Sequence, residues 1–289
     1  MRIDTFKGKE KRILFWEDGD DSTTARDYML KHNLTGIVFS KYLGFQEERA
    51  PFFEPNEFVN EIHIIDSNMK DVSFVMAFPN IKTINIQNDD QTKLDFDIFN
   101  NVEDVFLIWR KGVTNLFNKK CLKSLKIERF KEKKLPEFEN DMCLEELRFA
   151  SSPIENLSSL NRLKNLKILQ LDYLRCLEDS SWLKELGGLE ILSIGSCKKL
   201  SNAIMHNASK LTNLKKLSFS KMGEIPTLQP IQNLKKLETI VLVEDTKILD
   251  GNLHVLLDLP LLNNINVQGF KHYAPSISSI MDIKKNYHQ

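Results

Sequence analysis

The stretch Leu189-Glu-Ile-Leu192-Ser-Ile194-Gly-Ser-Cys197-Lys-Lys-Leu200 fits the pattern L-x-x-L-x-L-x-x-N/C-x-L at every fixed position. Leu192 and Ile194 are two residues apart, so they point to the same face of a short strand. Cys197 is expected to turn inward after the strand, and Leu200 to pack below it. One such unit cannot bury its own apolar edge and needs a similar neighbour on each side.

Those neighbours are present. With Val, Ile or Phe allowed for Leu, the core recurs from Leu34 (Ile37, Phe39), Val59 (Ile62, Ile64), Ile81 (Ile84, Ile86), Val102 (Val105, Leu107) and Leu122 (Leu125, Ile127). It continues from Leu144 (Leu147, Phe149), Leu166 (Leu169, Leu171), Leu189, Leu214 (Leu217, Phe219), Leu237 (Ile240, Leu242) and Leu262 (Ile265, Val267). Successive starts lie 25, 22, 21, 20, 22, 22, 23, 25, 23 and 25 residues apart. A helix face can give one such triplet by chance. It does not give eleven in near-constant register.

On these residues the chain resembles the leucine-rich repeat superfamily, in a bacterial type with irregular 20–25-residue repeats, over roughly residues 34–267. The resemblance implies an α/β fold. A solenoid would carry a curved parallel β-sheet on its concave face and short helices or turns on its convex face. The departure is the ninth position of each rung, where the superfamily places a buried Asn or Cys. Only Cys197 fits; elsewhere stand Tyr42, Ser67, Asp89, Arg110, Phe130, Ser152, Leu174, Met222, Asp245 and Phe270. Either those turns are built differently or the register shifts by a residue.

The ends of a solenoid must be covered. Residues 1–33 read as an N-terminal β–helix cap, with a strand over Arg12–Trp16. Its helix would start at Asp21 or Ser22 and align Ala25, Tyr28, Met29 and Leu30. Residues 34–267 form the solenoid of about eleven repeats, and 268–289 a C-terminal cap with a helix near Ser276–Lys285, all in one continuous domain. Off the strands, Phe45, Phe52, Phe53, Phe58, Phe74, Phe78, Phe96, Phe99 and Phe117 are expected to stack as a core spine, with Pro51, Pro55 and Pro79 in the turns. Short convex helices are expected at Trp182–Leu186 and Ala203–Met205. Asn165 and Asn213 suit the turns into the strands.

The chain has 289 residues, 42% apolar and 28% charged, with 40 basic and 40 acidic side chains. That balance argues against a general nucleic-acid or anionic-membrane binder. There is no apolar run long enough to span a membrane and no signal-like N-terminus, which points to the cytoplasm. Four cysteines without a C-x-x-C read as free, buried thiols, with a Cys121–Cys143 bridge as the oxidising alternative. Of the six histidines only His63 falls on a predicted strand, with no nucleophile or carboxylate expected beside it. No phosphate loop or hydrolase motif occurs, so no enzyme, cofactor or metal is expected.

The residues between the inward positions carry the functional expectation. The fifth, seventh and eighth of each rung face the concave side or its rim. In rung four these are Phe106, Ile108 and Trp109; in rung five Lys126, Glu128 and Arg129. Rungs six and seven add Arg148, Gln170, Asp172 and Tyr173. Trp109 beside Arg129 would make a cation–π pair, and aromatic anchors with an arginine suit a binding hot spot. The resemblance implies a protein-binding module. Its most specific form is a cytosolic bacterial immunity protein that covers a cognate toxin. The alternatives are a host-directed secreted effector and a carbohydrate- or surface-binding adhesin. The expected partner is another protein, neither nucleic acid nor membrane, and the unbound chain is expected to be a monomer.

Overall fold

The computed structural model describes residues 2–3, 13–50, 58–200 and 203–287. Arg12, Pro51, Phe52, Phe53 and Pro55, named above, lie outside the described residues. The chain divides into two compact units, Met1–Glu128 and Arg129–Gln289.

In the first unit, rungs one to five supply the parallel strands Gly36–Ser40, Glu61–Ile65, Thr83–Gln87, Asp104–Ile108 and Ser124–Glu128. Ile13–Trp16 pairs parallel to rung one, and Arg2–Ile3 pairs antiparallel to that strand. In the second unit, rungs six to eleven supply Glu146–Ala150, Ile168–Asp172, Ile191–Gly195, Lys216–Ser220, Thr239–Val243 and Asn264–Val267, all parallel. All eleven strands fall where the repeat places them. In each unit the fold is that of a leucine-rich repeat solenoid.

Register explains the period. Leu169 stands opposite Leu192, Leu192 opposite Leu217 and Leu217 opposite Ile240; Leu171, Ile194, Phe219 and Leu242 do the same two residues on. Each is buried, worth about 1.5–3 kcal/mol per side chain. A slip of one residue would turn every one of them outward, so the register does not shift. Ile265, on the last strand among the described residues, has a neighbouring strand on one side only and is half-buried.

The turns after the strands are therefore built differently, and the ninth position shows how. Cys197 is not alone inside: Phe130, Ser152, Leu174 and Met222 are buried at the same position. Apolar residues alternate with residues that carry a heteroatom. Ser152 Oγ accepts from the Phe130 amide at 3.1 Å and donates to the Ala150 carbonyl at 2.9 Å. The Cys197 thiol takes the Leu174 amide and donates to the Gly195 carbonyl at 3.1 Å. Thr246 Oγ1 accepts from the Met222 amide at 3.2 Å. One heteroatom thus serves the otherwise orphaned amide of the rung before it. Rung ten needs Thr246, its tenth residue, because both Glu244 (φ 49°) and Asp245 (φ 63°) are left-handed there.

The eighth residue makes the turn. Asp66, Arg129, Ser151, Tyr173, Ser196, Lys221 and Glu244 all have φ between 48° and 59°. Left-handed backbone costs a non-glycine residue about 1–2 kcal/mol. Part of that is offset by an amide bond to the end of the next strand, as from Ser151 to the Asp172 carbonyl at 2.9 Å and Tyr173 to that of Gly195 at 3.0 Å.

Rungs three and four solve the turn another way. Asn88, Asp90 and Arg110 are buried together. An ion pair joins Arg110 Nη1 to Asp90 Oδ2, with side chains only 1% and 0% exposed. Asn88 Nδ2 donates to the Met69 carbonyl at 2.9 Å. Burial lowers the Arg110 pKa, and Asp90 opposes that shift.

The terminal helices follow from local sequence. Asp21 Oδ1 accepts from the Thr24 amide at 2.9 Å and starts the helix Ser22–His32. Ala25 and Met29, one turn apart, are its buried residues. Leu30 was expected on that face but is 51% exposed, because it lies about 100° round the helix from Met29. At the other end, Ile280 buries one face of the helix Ile277–Tyr287, and Lys284 Nζ reaches the Leu259 carbonyl at 2.5 Å. The opposite side of the rungs carries short 3-10 helices such as Ser181–Glu185, where Trp182 and Leu183 are buried, and the α-helix Ile204–Ala208. Phe45, Phe78, Phe96, Phe99 and Phe117 are buried as expected of the spine, while Phe58 and Phe74 are half-buried. Asn165 and Asn213 bridge rungs by donating to the Met142 and Gly187 carbonyls, both at 2.9 Å.

Candidate functional site

In the first unit, register sets Phe106 beside Lys126 and Ile108 beside Glu128 on the outward face. Phe106, Ile108 and Trp109 are half-buried rather than bare. Trp109 leaves the strand end and packs its ring against Phe117, with centroids 6.0 Å apart. The outward apolar area of rung four is therefore smaller than its sequence suggests.

The same face carries a polar row that the sequence reading passed over. His63 lies 3.5 Å from Glu61 Oε2 and 3.3 Å from Asn85 Nδ2, and Gln87 Nε2 donates to Asn85 Oδ1 at 2.8 Å. His63 therefore does have a carboxylate beside it, contrary to expectation. Glu61 sits two residues earlier on the same strand, and alternate strand residues share a face.

In the second unit, Arg148 stands opposite Gln170, and Asp172 opposite Gly195. A Cβ at position 195 would lie 2.5 Å from Asp172 Oδ1. The glycine therefore gives the carboxylate room to lie across the neighbouring strand. Burial pushes the Asp172 carboxyl up, and the Arg148 guanidinium opposes it. Ser193, Gly195 and Ser220 continue the row as small residues and leave a shallow depression of about 230 Å³. Arg129 opens the unit in a left-handed turn, its amide donating to the Ala150 carbonyl at 2.9 Å.

At the strand ends, the left-handed turns present Tyr173, Ser196 and Lys221 at the same height on rungs seven, eight and nine. Together with Arg175, Lys198, Lys199 and Asp245 they line a cleft of about 420 Å³. Tyr173 is 39% exposed, and the Arg175 guanidinium sits 5.6 Å above its ring. Arg175, Lys198, Lys221, Ser193 and Gly195 were not singled out in the sequence. Positions eight and ten, read down successive rungs, would have found the cations.

All four cysteines are free; Cys121, Cys143 and Cys176 are exposed, so the expected burial holds only for Cys197. Burial pushes the Cys197 thiol up to about 12. Among the described residues no group of three or more His, Cys, Asp or Glu gathers as a metal site, and no helix is long and apolar enough to cross a membrane.

No protein-family model matches the chain, and no curated protein matches its sequence. Solved structures do. One is internalin C2 of Listeria monocytogenes, at 22% identity and a TM-score of 0.42, over 61% of this chain and 75% of that one. Another is an internalin (inlF) of the same bacterium, at 13% identity and a TM-score of 0.39, over 75% of this chain and 77% of that one.

Proposed function

We propose that this chain is a non-enzymatic, protein-binding leucine-rich repeat module, monomeric when unbound. What supports the reading best is the outward face of the second unit's sheet. There, charged residues surround a trough of small ones beside an exposed tyrosine, while the inward face is occupied by packing. A trough edged by fixed charges fits a partner's protruding side chains. Phe106, Ile108, Lys126 and Glu128 supply a second, more apolar contact on the first unit's face. Trp109 contributes mainly by supporting it through Phe117.

The finer form of this reading is a cytosolic bacterial immunity protein that covers one cognate toxin. An outward face this uneven from rung to rung favours a single partner over many. The test starts with affinity capture from the source cell, followed by calorimetry on the purified pair. A saturable complex in equal proportions is expected, and its failure to form sinks the module reading. Co-expression then separates the finer claim. A captured protein that arrests growth alone, and is harmless beside this chain, supports immunity. A captured protein harmless in both cases removes it.

A further inference from the structure

We propose that the cleft around Tyr173 recognises an acidic segment of the protein partner, with Arg175 and Lys198 gripping its carboxylates. The proposal rests on the protein-binding reading and adds the chemistry of the partner.

The charge count points first. The whole chain has as many acidic as basic side chains, yet the cleft is lined by four cations and one carboxylate. Next comes what those cations already hold. Lys199 is paired with Glu178 at 2.5 Å, and Lys221 lies 3.7 Å from Glu244. Arg175 and Lys198 form no ion pair among the described residues. Two of the cleft's charges thus remain without a counter-ion among the described residues.

Their placement suits a carboxylate. The Arg175 guanidinium is held over the Tyr173 ring at 5.6 Å, which limits the freedom it would lose on binding. Its planar fork matches a carboxylate with two parallel hydrogen bonds, and Lys198 adds a point charge. Tyr173 offers an apolar plane to the methylene groups of a Glu side chain and a hydroxyl to its backbone. The left-handed backbone of Tyr173, Ser196 and Lys221 fixes these groups on three successive rungs.

A protein segment fits better than a nucleic acid. A polyphosphate gains from many spaced cations and the counter-ions they release. Here Asp245 lines the cleft, and Glu178 and Glu244 stand at its edges on Lys199 and Lys221. Those carboxylates repel a phosphate chain. A peptide meets Asp245 with a backbone amide.

The test uses the full chain and two probes, an octaglutamate peptide and an octathymidylate of equal length. Backbone amide shifts are followed by NMR. Octaglutamate should shift Tyr173, Arg175, Ser196 and Lys198 saturably, and the Arg175→Ala/Lys198→Ala variant should lose those shifts. Both side chains are exposed, so the variant keeps its fold, checked by its unshifted strand amides. Shifts scattered over unrelated lysines, none at all, or tighter binding of octathymidylate would overturn the proposal. A captured partner gives the second arm. The double variant should weaken it about tenfold or more, and the difference should shrink as salt is raised. A partner that binds the variant unchanged overturns the acidic-segment proposal while leaving the protein-binding reading intact. Absence of any partner for the wild type is the separate failure of that reading.

Discussion

Rungs five to ten and rungs three and four close the same turn with opposite chemistry. From Phe130 to Thr246 the interior position alternates between an apolar side chain and one neutral heteroatom, with the eighth residue left-handed. At Asn88, Asp90 and Arg110 the interior holds a full ion pair and an amide, and neither eighth residue, Asn88 or Trp109, is left-handed. One solution strains the backbone and keeps the interior neutral. The other relaxes the backbone and buries charge. A solenoid tolerates both because each rung answers only to its neighbours.

The largest effect expected from this contrast is at the ion pair. Arg110→Ala leaves Asp90 buried without its counter-charge and should cost about 3–5 kcal/mol in denaturant melts. Replacing both partners, as Asp90→Leu/Arg110→Met, should recover most of that loss or exceed wild type. If the single variant loses less than about 1 kcal/mol, the pair is not a buried support.

The neutral turns should break more gently. Thr246→Val removes the acceptor of the Met222 amide at nearly constant shape, and should cost about 1–3 kcal/mol. Thr246→Ser keeps the acceptor and should lose less. Equal losses would show that volume, not the hydrogen bond, matters there.

The smallest expected effect concerns Cys197. Its thiol is neutral up to about 12 because burial disfavours the thiolate. A raised pKa in the folded state means stability is unaffected below the ordinary thiol value of 9.0 and falls as pH climbs from there toward 12. A thiol reagent at pH 8 should therefore label Cys121, Cys143 and Cys176 in the native protein and Cys197 only on unfolding. Rapid labelling of all four would contradict the ladder.

The strands were legible in the sequence because two inward Leu or Ile positions, two apart, report the strand's own alternation. The turns were not. Asp66, Arg129, Ser151, Tyr173, Ser196, Lys221 and Glu244 share a left-handed backbone but no chemistry, and none is the glycine that usually marks it. Asn88-Asp-Asp90 reads as a solvated turn until Arg110, on the next rung, is seen to bury with it. The depression at Asp172 depends on Gly195, and the cleft on Tyr173, Arg175 and Lys198. Each joins residues about one repeat apart, which a motif within a single rung cannot display. Rung four read as more exposed than it is because its tryptophan turns toward Phe117.

In the second unit the rungs stack without a slip, and the left-handed turns at Arg129, Ser151, Tyr173, Ser196 and Lys221 donate their amides to the end of the next strand. Hydrogen exchange at single-residue resolution measures this directly. The amides of Ser151, Tyr173, Ser196 and Lys221, which donate to the carbonyls of Asp172, Gly195, Ser220 and Val243, should exchange about as slowly as the strand amides beside them. Exchange of these four at the rate of open turns, with the strands still protected, would contradict it.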